Sequence, residues 1–209
     1  MKKAVRAAPR PYHHGDLRTA VLAAAERILE REGADALTLR AVARAVGVSH
    51  TAPKNHFGDL EGLLSELAAV GYRRFGAALA AAMDAAGADA RARMRAMGRA
   101  YVAFARDHRG MFLLMYRSDR LDMKRPALRE AVEGARQALR AAAMSSASVS
   151  PLTPLQLAAR ATASWALVHG FAMLLLDGRL RHTIASLPDG AGADALLETI
   201  LDTTRIDQA

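Results

Sequence analysis

The sequence predicts an all-α protein of about nine helices: a three-helix head, one long connecting helix and a helical bundle. Three observations carry that prediction. Alanine supplies much of the 52% hydrophobic fraction, and it is the best helix former. Apolar residues recur at helical spacing along most of the chain, between residues suited to capping helices. No segment reads as a strand, and no repeat of solenoid period is present. A length of 209 residues suits one large domain or two small ones.

Residues 1–15 form a basic, flexible arm with Pro9 and Pro11 and no apolar period. Asp16 is placed to cap the first helix, where Leu17, Val21, Ala24, Ala25, Ile28 and Leu29 repeat on one side and Gly33 marks the end. Thr38 caps a short second helix with Leu39, Val42, Ala43 and Val46 inward, closed by Gly47. Ser49 caps a third, from His50 to Phe57, with Pro53 at or near its first turn and Gly58 at its end. The predicted head is residues 16–58 and the body 59–209.

In the body, Asp59 caps a long fourth helix reaching about Ala86, with Leu60, Leu63, Leu64, Leu67, Val70 and Phe75 buried. A fifth helix runs from about Asp89 to Asp107, with Met94, Met97, Tyr101 and Phe104 inward. His108-Arg109-Gly110 reads as a turn before a short apolar helix, Met111 to Tyr116. The next helix spans about Pro126 to Met144, and the Ser-rich residues 145–153 read as a loop. Thr153-Pro154 opens a strongly apolar helix to about Leu176. Arg179 to Gly192 reads as a connection, and Asp194 to about Arg205 as the last helix.

Composition narrows the function. The absence of Cys removes disulfides, thiolate metal sites and a Cys nucleophile, and suits a reducing cytosol. No apolar run approaches the roughly 18–20 residues of a bilayer span, and no signal-peptide core follows the basic start. The expectation is a soluble, cytoplasmic protein with no membrane partner. Formal net charge is +8, and residues 1–58 carry ten Lys/Arg against five Asp/Glu. A basic segment at one end fits a polyanion partner or a solvated Arg-rich surface. There is no phosphate loop and no Glu-x-x-His pair, so no enzyme, metal site or cofactor is expected. A small helical binding protein or a protein-interaction regulator is the competing reading.

The segment Leu39 to Ser49 meets the demands of a helix-turn-helix. Two short helices must cross steeply around a tight turn, with small residues where they meet. Ala43 is small at that crossing, Gly47 can take the positive φ of the turn, and Val48 plugs the gap. A helical hairpin without a ligand would carry the same pattern.

From Tyr12 to Leu64 the chain resembles the head of the TetR family of bacterial repressors. The matching residues are Tyr12-His13-His14-Gly15-Asp16-Leu17-Arg18, Gly33, Leu37-Thr38-Leu39-Arg40, Val42-Ala43, Gly47-Val48-Ser49 and His56-Phe57-Gly58-Asp59-Leu60-Glu61-Gly62-Leu63-Leu64. His108 to Tyr116 and Trp165-Ala166-Leu167-Val168-His169-Gly170 resemble the sixth helix and the Trp…His-Gly signature of one branch. The resemblance implies a homodimeric regulator, with repression as the family's common mode, that a small apolar effector releases from a palindromic operator. One departure stands out: Lys54 replaces the family's usual Tyr, and Leu60 its usual Lys. An unusual operator or weakened DNA binding is expected from that exchange.

On this reading His50, Thr51, Lys54 and Asn55 face DNA. Asn55 suits adenine, Lys54 guanine or phosphate, Thr51 a thymine methyl or phosphate, and His50 a base or phosphate. Ser49 caps the reading helix and is itself a candidate DNA contact, and the family pattern implies phosphate contact by His56 and a backbone clamp by Arg40. The arm, with Lys2, Lys3, Arg6 and Arg10, either lies in a minor groove or is disordered. In the body, Met97, Tyr101, Phe104, Met111, Met115, Trp165, His169 and Met173 are the candidate effector contacts, and a plain core would show the same stripe. The resemblance places the dimer interface on the last two long helices, with Leu174, Leu175, Leu196, Leu197, Ile200 and Leu201 as candidates.

Overall fold

The computed structural model describes residues 14–145 and 153–203. The described residues form ten α-helices and no strand. They are α1 (His14–Glu32), α2 (Leu39–Val46), α3 (Ala52–Phe57), α4 (Leu60–Ala85), α5 (Ala90–Asp107), α6 (Arg109–Met115), α7 (Pro126–Ser145), α8 (Pro154–Leu176), α9 (Arg181–Ala185) and α10 (Ala193–Thr203). The predicted arm, apart from its last two residues, and the Ser-rich loop apart from its ends lie outside the described residues.

Helix α4 is the axis of the molecule. It packs against α1 and α3 at one end and against α5, α6 and α7 along its length. Helix α8 lies on α5 and α7, and α10 lies on α5. One buried cluster runs without a break from Val21 and Leu29 in α1, through Leu63, Leu67 and Phe75 in α4, to Tyr101, Phe112 and Val168. The seam between α10 and α5 adds ion pairs: Arg95–Glu198 at 2.9 Å, Arg95–Asp202 at 2.6 Å and Arg106–Asp194 at 3.0 Å. These pairs are partly exposed and individually weak, so they align α10 more than they hold it.

Several helix limits follow the local signals. Thr38 and Asp59 both have extended backbone, and their side chains accept from the Ala41 and Gly62 amides at 3.0 and 2.7 Å. Asp89 and Thr153 do the same for α5 and α8, the latter in a full capping box with Gln156.

Other limits differ from expectation. Helix α1 begins at His14, so Asp16 lies inside its first turn instead of capping it. Helix α3 begins at Ala52, and Ser49 does not cap it. Pro53 is the reason. A helix capped by Ser49 would need the residue-53 amide to donate to the Ser49 carbonyl, and proline has no N–H. With the start at Ala52, Pro53 occupies the second helical position, where none is needed. The Ser49 hydroxyl instead meets that of Thr51 at 3.1 Å. Helix α6 starts at Arg109, within the expected turn, and the connection after α8 contains the short α9 and a 3-10 turn at Pro188–Gly190.

Helix α8 also departs from the reading of apolar runs. It is long and apolar enough to cross a membrane by length and composition. Arg160 and His169 interrupt the run, but the Leu-rich C-terminal half raises its average. In the fold Val168, Phe171 and Ala172 enter the core while Leu155 is 79% exposed. Its apolar surface is thus split between a core face and an open face.

Candidate nucleic-acid interface and effector site

The head is built around one tight turn. Gly47 ends α2 at φ 76°, and its amide and that of Val48 return to carbonyls of α2. Val42 and Ala43 are buried beneath the turn, and Val48 is half-buried. Phe57 is 1% exposed and anchors α3. Arg18 lies over its ring, 5.5 Å from the centroid. Held this way, α3 and the turn before it keep their polar residues outward. Ser49, His50, Thr51, Lys54 and Asn55 are all exposed, as is Arg40 at the start of α2. His56 is half-buried with its ring against Phe57. Arg44 is also exposed one turn after Arg40. The i, i+4 spacing could have identified it as a second cation beside Arg40.

The body brings together only part of the predicted effector set. Tyr101 is fully buried at its centre. Its hydroxyl accepts from Trp165 Nε1 at 3.2 Å and lies 2.8 Å from the Tyr116 hydroxyl and 2.9 Å from His169 Nδ1. Trp165 donates, and two arrangements complete the set around a neutral His169: Tyr116 donates to Tyr101, which donates to His169, or His169 donates to Tyr101, which donates to Tyr116. Burial keeps both groups neutral, because it depresses the His169 pKa and raises that of Tyr101. Phe75 and Phe112 pack edge-on against the Tyr101 ring at 5.0 and 5.7 Å.

Among the other candidates, Met97, Phe104, Met111 and Met115 are buried, Met173 is half-buried and Trp165 is 42% exposed. Met111 and Met115 press on Gly71 of α4, where a Cβ would stand 2.7 Å from Met111 Cγ. Two open grooves, of about 450 and 570 Å³, lie along α7 and are lined by none of the predicted effector contacts. Tyr116 is absent from the predicted set although it ends the His108–Tyr116 segment. Tyr72 is absent too; it donates to the Met115 carbonyl at 2.7 Å.

The head and body are joined by polar contacts that sequence spacing does not reveal. The Glu30 carboxylate on α1 accepts from the Gly110 and Met111 amides at 2.8 and 2.9 Å, and so caps α6 from another helix. Gly110 permits the approach, since a Cβ there would lie 2.6 Å from the Leu29 carbonyl oxygen.

The predicted interface leucines are divided. Leu197 is 2% exposed and spends its surface inside its own chain. Leu201 packs over Gly98 of α5, where a Cβ would be 3.1 Å away. Leu175, Leu196 and Ile200 are half-buried, and Leu174 is 42% exposed. The larger open apolar surface is on α8, at Leu155, Trp165 and Leu174.

Known proteins match this architecture. Residues 21–67 match the model of bacterial regulatory proteins of the tetR family, and residues 94–203 match the tetracyclin repressor-like C-terminal domain. A solved protein of unknown function from Rhodococcus sp. RHA1 is 36% identical over 93% of this chain and 96% of its own, with a TM-score of 0.75. The TetR-family transcriptional regulator PfmR from Thermus thermophilus is 19% identical over 87% of this chain and 94% of its own, with a TM-score of 0.61. The multidrug binding protein EbrR, solved with imidazole, is 21% identical over 88% and 92%, with a TM-score of 0.51. No curated protein matches the chain. Members of this family are non-enzymatic regulators that bind operator DNA and small-molecule effectors and act as dimers. With a helix-turn-helix at one end and both family models matched in order, the chain belongs to the tetR family and is a DNA-binding transcriptional regulator.

Proposed function

We propose that the protein is a cytoplasmic repressor that leaves a palindromic operator when a small apolar molecule enters its body. The observation that carries this reading is the Glu30 cap, which ties the head directly to the helix bearing Met111 and Met115. A molecule that displaces α6 then acts on α1 as well as on α4. It switches the regulator only if it binds one head arrangement better than the other.

At the DNA, Lys54 and Asn55 read or clamp the major groove, His50, Thr51 and Ser49 contact bases or phosphates beside them, and Arg40 and His56 hold the backbone. Effector contact centres on Tyr101, Trp165 and His169, with Met97, Phe104, Met111, Met115 and Met173 as adaptable apolar walls. A second copy covers the open side of α8 around Leu174, with Leu175, Leu196 and Ile200 at its margin.

Footprinting on the DNA flanking its own gene tests the repressor reading. A protected palindrome, lost on adding an apolar compound that also raises the melting temperature, is the expected result. A complex that every stabilising compound leaves intact would refute effector release. Lys54→Ala should weaken binding and lower the salt slope of the dimer by about two, one for each subunit, if Lys54 meets phosphate.

A further inference from the structure

The recognition helix is also held from the body side. Phe57 is the last residue of α3, so no later turn of that helix supplies an amide to its carbonyl. Arg125, one residue before α7, donates to that carbonyl from Nη2 at 2.9 Å. Gly62 in the first turn of α4 makes room for both partners. A Cβ there would lie 2.0 Å from the Phe57 oxygen and 2.2 Å from Arg125 Nη2.

Two carboxylates flank the guanidinium. It lies 3.8 Å from Glu66 Oε1 and 3.7 Å from Asp122 Oδ2. Glu66 also pairs with Arg18 at 2.6 Å, and Arg18 covers the Phe57 ring. Phe57 is therefore gripped at its ring from α1 and at its carbonyl from the body. The Asp122 amide donates to Ser65 Oγ at 2.9 Å, which pins the same segment to α4. Helix α7 follows at once from Pro126 and packs along α4.

We propose that Arg125 is a positioning residue for DNA recognition: it sets the angle of α3 from the body and carries any shift of α7 to the reading surface. The proposal rests on DNA binding by the head, but not on the repressor or effector reading. Arg125 acts through the Phe57 carbonyl and touches no base or phosphate. Its loss should therefore alter how strictly the two heads are spaced, without altering how many counterions binding releases.

The test uses the full-length dimer and a duplex that the wild-type protein selects from random DNA. Affinity is measured against salt for wild type, Arg125→Met, Arg125→Gln and, as a phosphate-contact control, Lys54→Ala. It is measured again on duplexes with the half-sites moved by one base pair. Arg125→Met and Arg125→Gln should each lose about tenfold in affinity, the scale of one charged hydrogen bond. Their salt slope should stay at the wild-type value, and their discrimination against the moved half-sites should shrink. A slope lower by about two, one for each subunit, would make Arg125 a phosphate contact and overturn the proposal. Unchanged affinity and unchanged spacing discrimination would overturn it too. Failure of both variants to fold would make Arg125 a structural residue and overturn it. A wild-type protein that selects no duplex would overturn the DNA-binding premise and the proposal together.

Discussion

The head and the body handle their polar groups in opposite ways. In the head the core is apolar, around Val42, Leu37 and Phe57, and the polar side chains Arg40, His50, Thr51, Lys54 and Asn55 are exposed. In the body the Tyr101 hydroxyl turns inward to meet the Tyr116 hydroxyl and His169 Nδ1, while Leu155 and Leu174 are exposed. An outward polar set suits DNA, whose phosphates and base edges supply the missing partners. An inward polar set restricts what fits beside it, because a ligand that breaks those hydrogen bonds must replace them. Exposed leucines on α8 suit a partner surface. The contrast separates a surface that reads from an interior that discriminates.

Four measurements put this contrast at risk. The largest effect is expected from Phe57→Ala, which empties the head core beneath α3. It should cost about 3–5 kcal/mol of stability by chemical denaturation and abolish operator binding. Loss of stability with full DNA affinity would show that α3 is held without it. Tyr101→Phe comes next, because it removes the hydroxyl that three neighbours share and leaves them unsatisfied. About 1–3 kcal/mol should be lost in the same measurement, with DNA affinity of the folded protein unchanged. A neutral result would mean that the buried cluster is already hydrated.

Thr38→Ala removes the α2 cap and should cost about 1 kcal/mol, measured by thermal melting. The smallest effect concerns pH. Burial lowers the His169 pKa below its usual 6.5. The unfolded chain then binds the proton first as pH falls, so the native state loses stability from about pH 6.5 down to the depressed native pKa and gains nothing above that window. Replacing His169 with Gln should flatten this part of the stability–pH curve. The same slope in wild type and variant would place the titration elsewhere.

Much of the head is legible in the sequence because its signals are local. Thr38, Gly47 and Asp59 act on amides and dihedrals within four residues of themselves. Ser49 fails as a cap for an equally local reason, because Pro53 lacks the N–H that the earlier start requires. The body is less legible. Spacing places Met97, Tyr101 and Phe104 inward, as they are, but it cannot distinguish a wall of a site from packing, nor identify Tyr116 as a partner of Tyr101. Leu197 reads as part of an outer face, yet the same helical period places a leucine on whichever side has a neighbour, and α5 is that neighbour.

Helical class, most helix limits and the helix-turn-helix frame are written in the chain itself, because caps, prolines and apolar periods work over one or two turns. Which carbonyls and amides from distant segments meet is settled in three dimensions. Glu30 caps a helix 80 residues away, and Arg125 reaches a carbonyl 68 residues back. Such pairings depend on where whole helices come to rest, and burial of the shared apolar core sets that position before any one polar contact can.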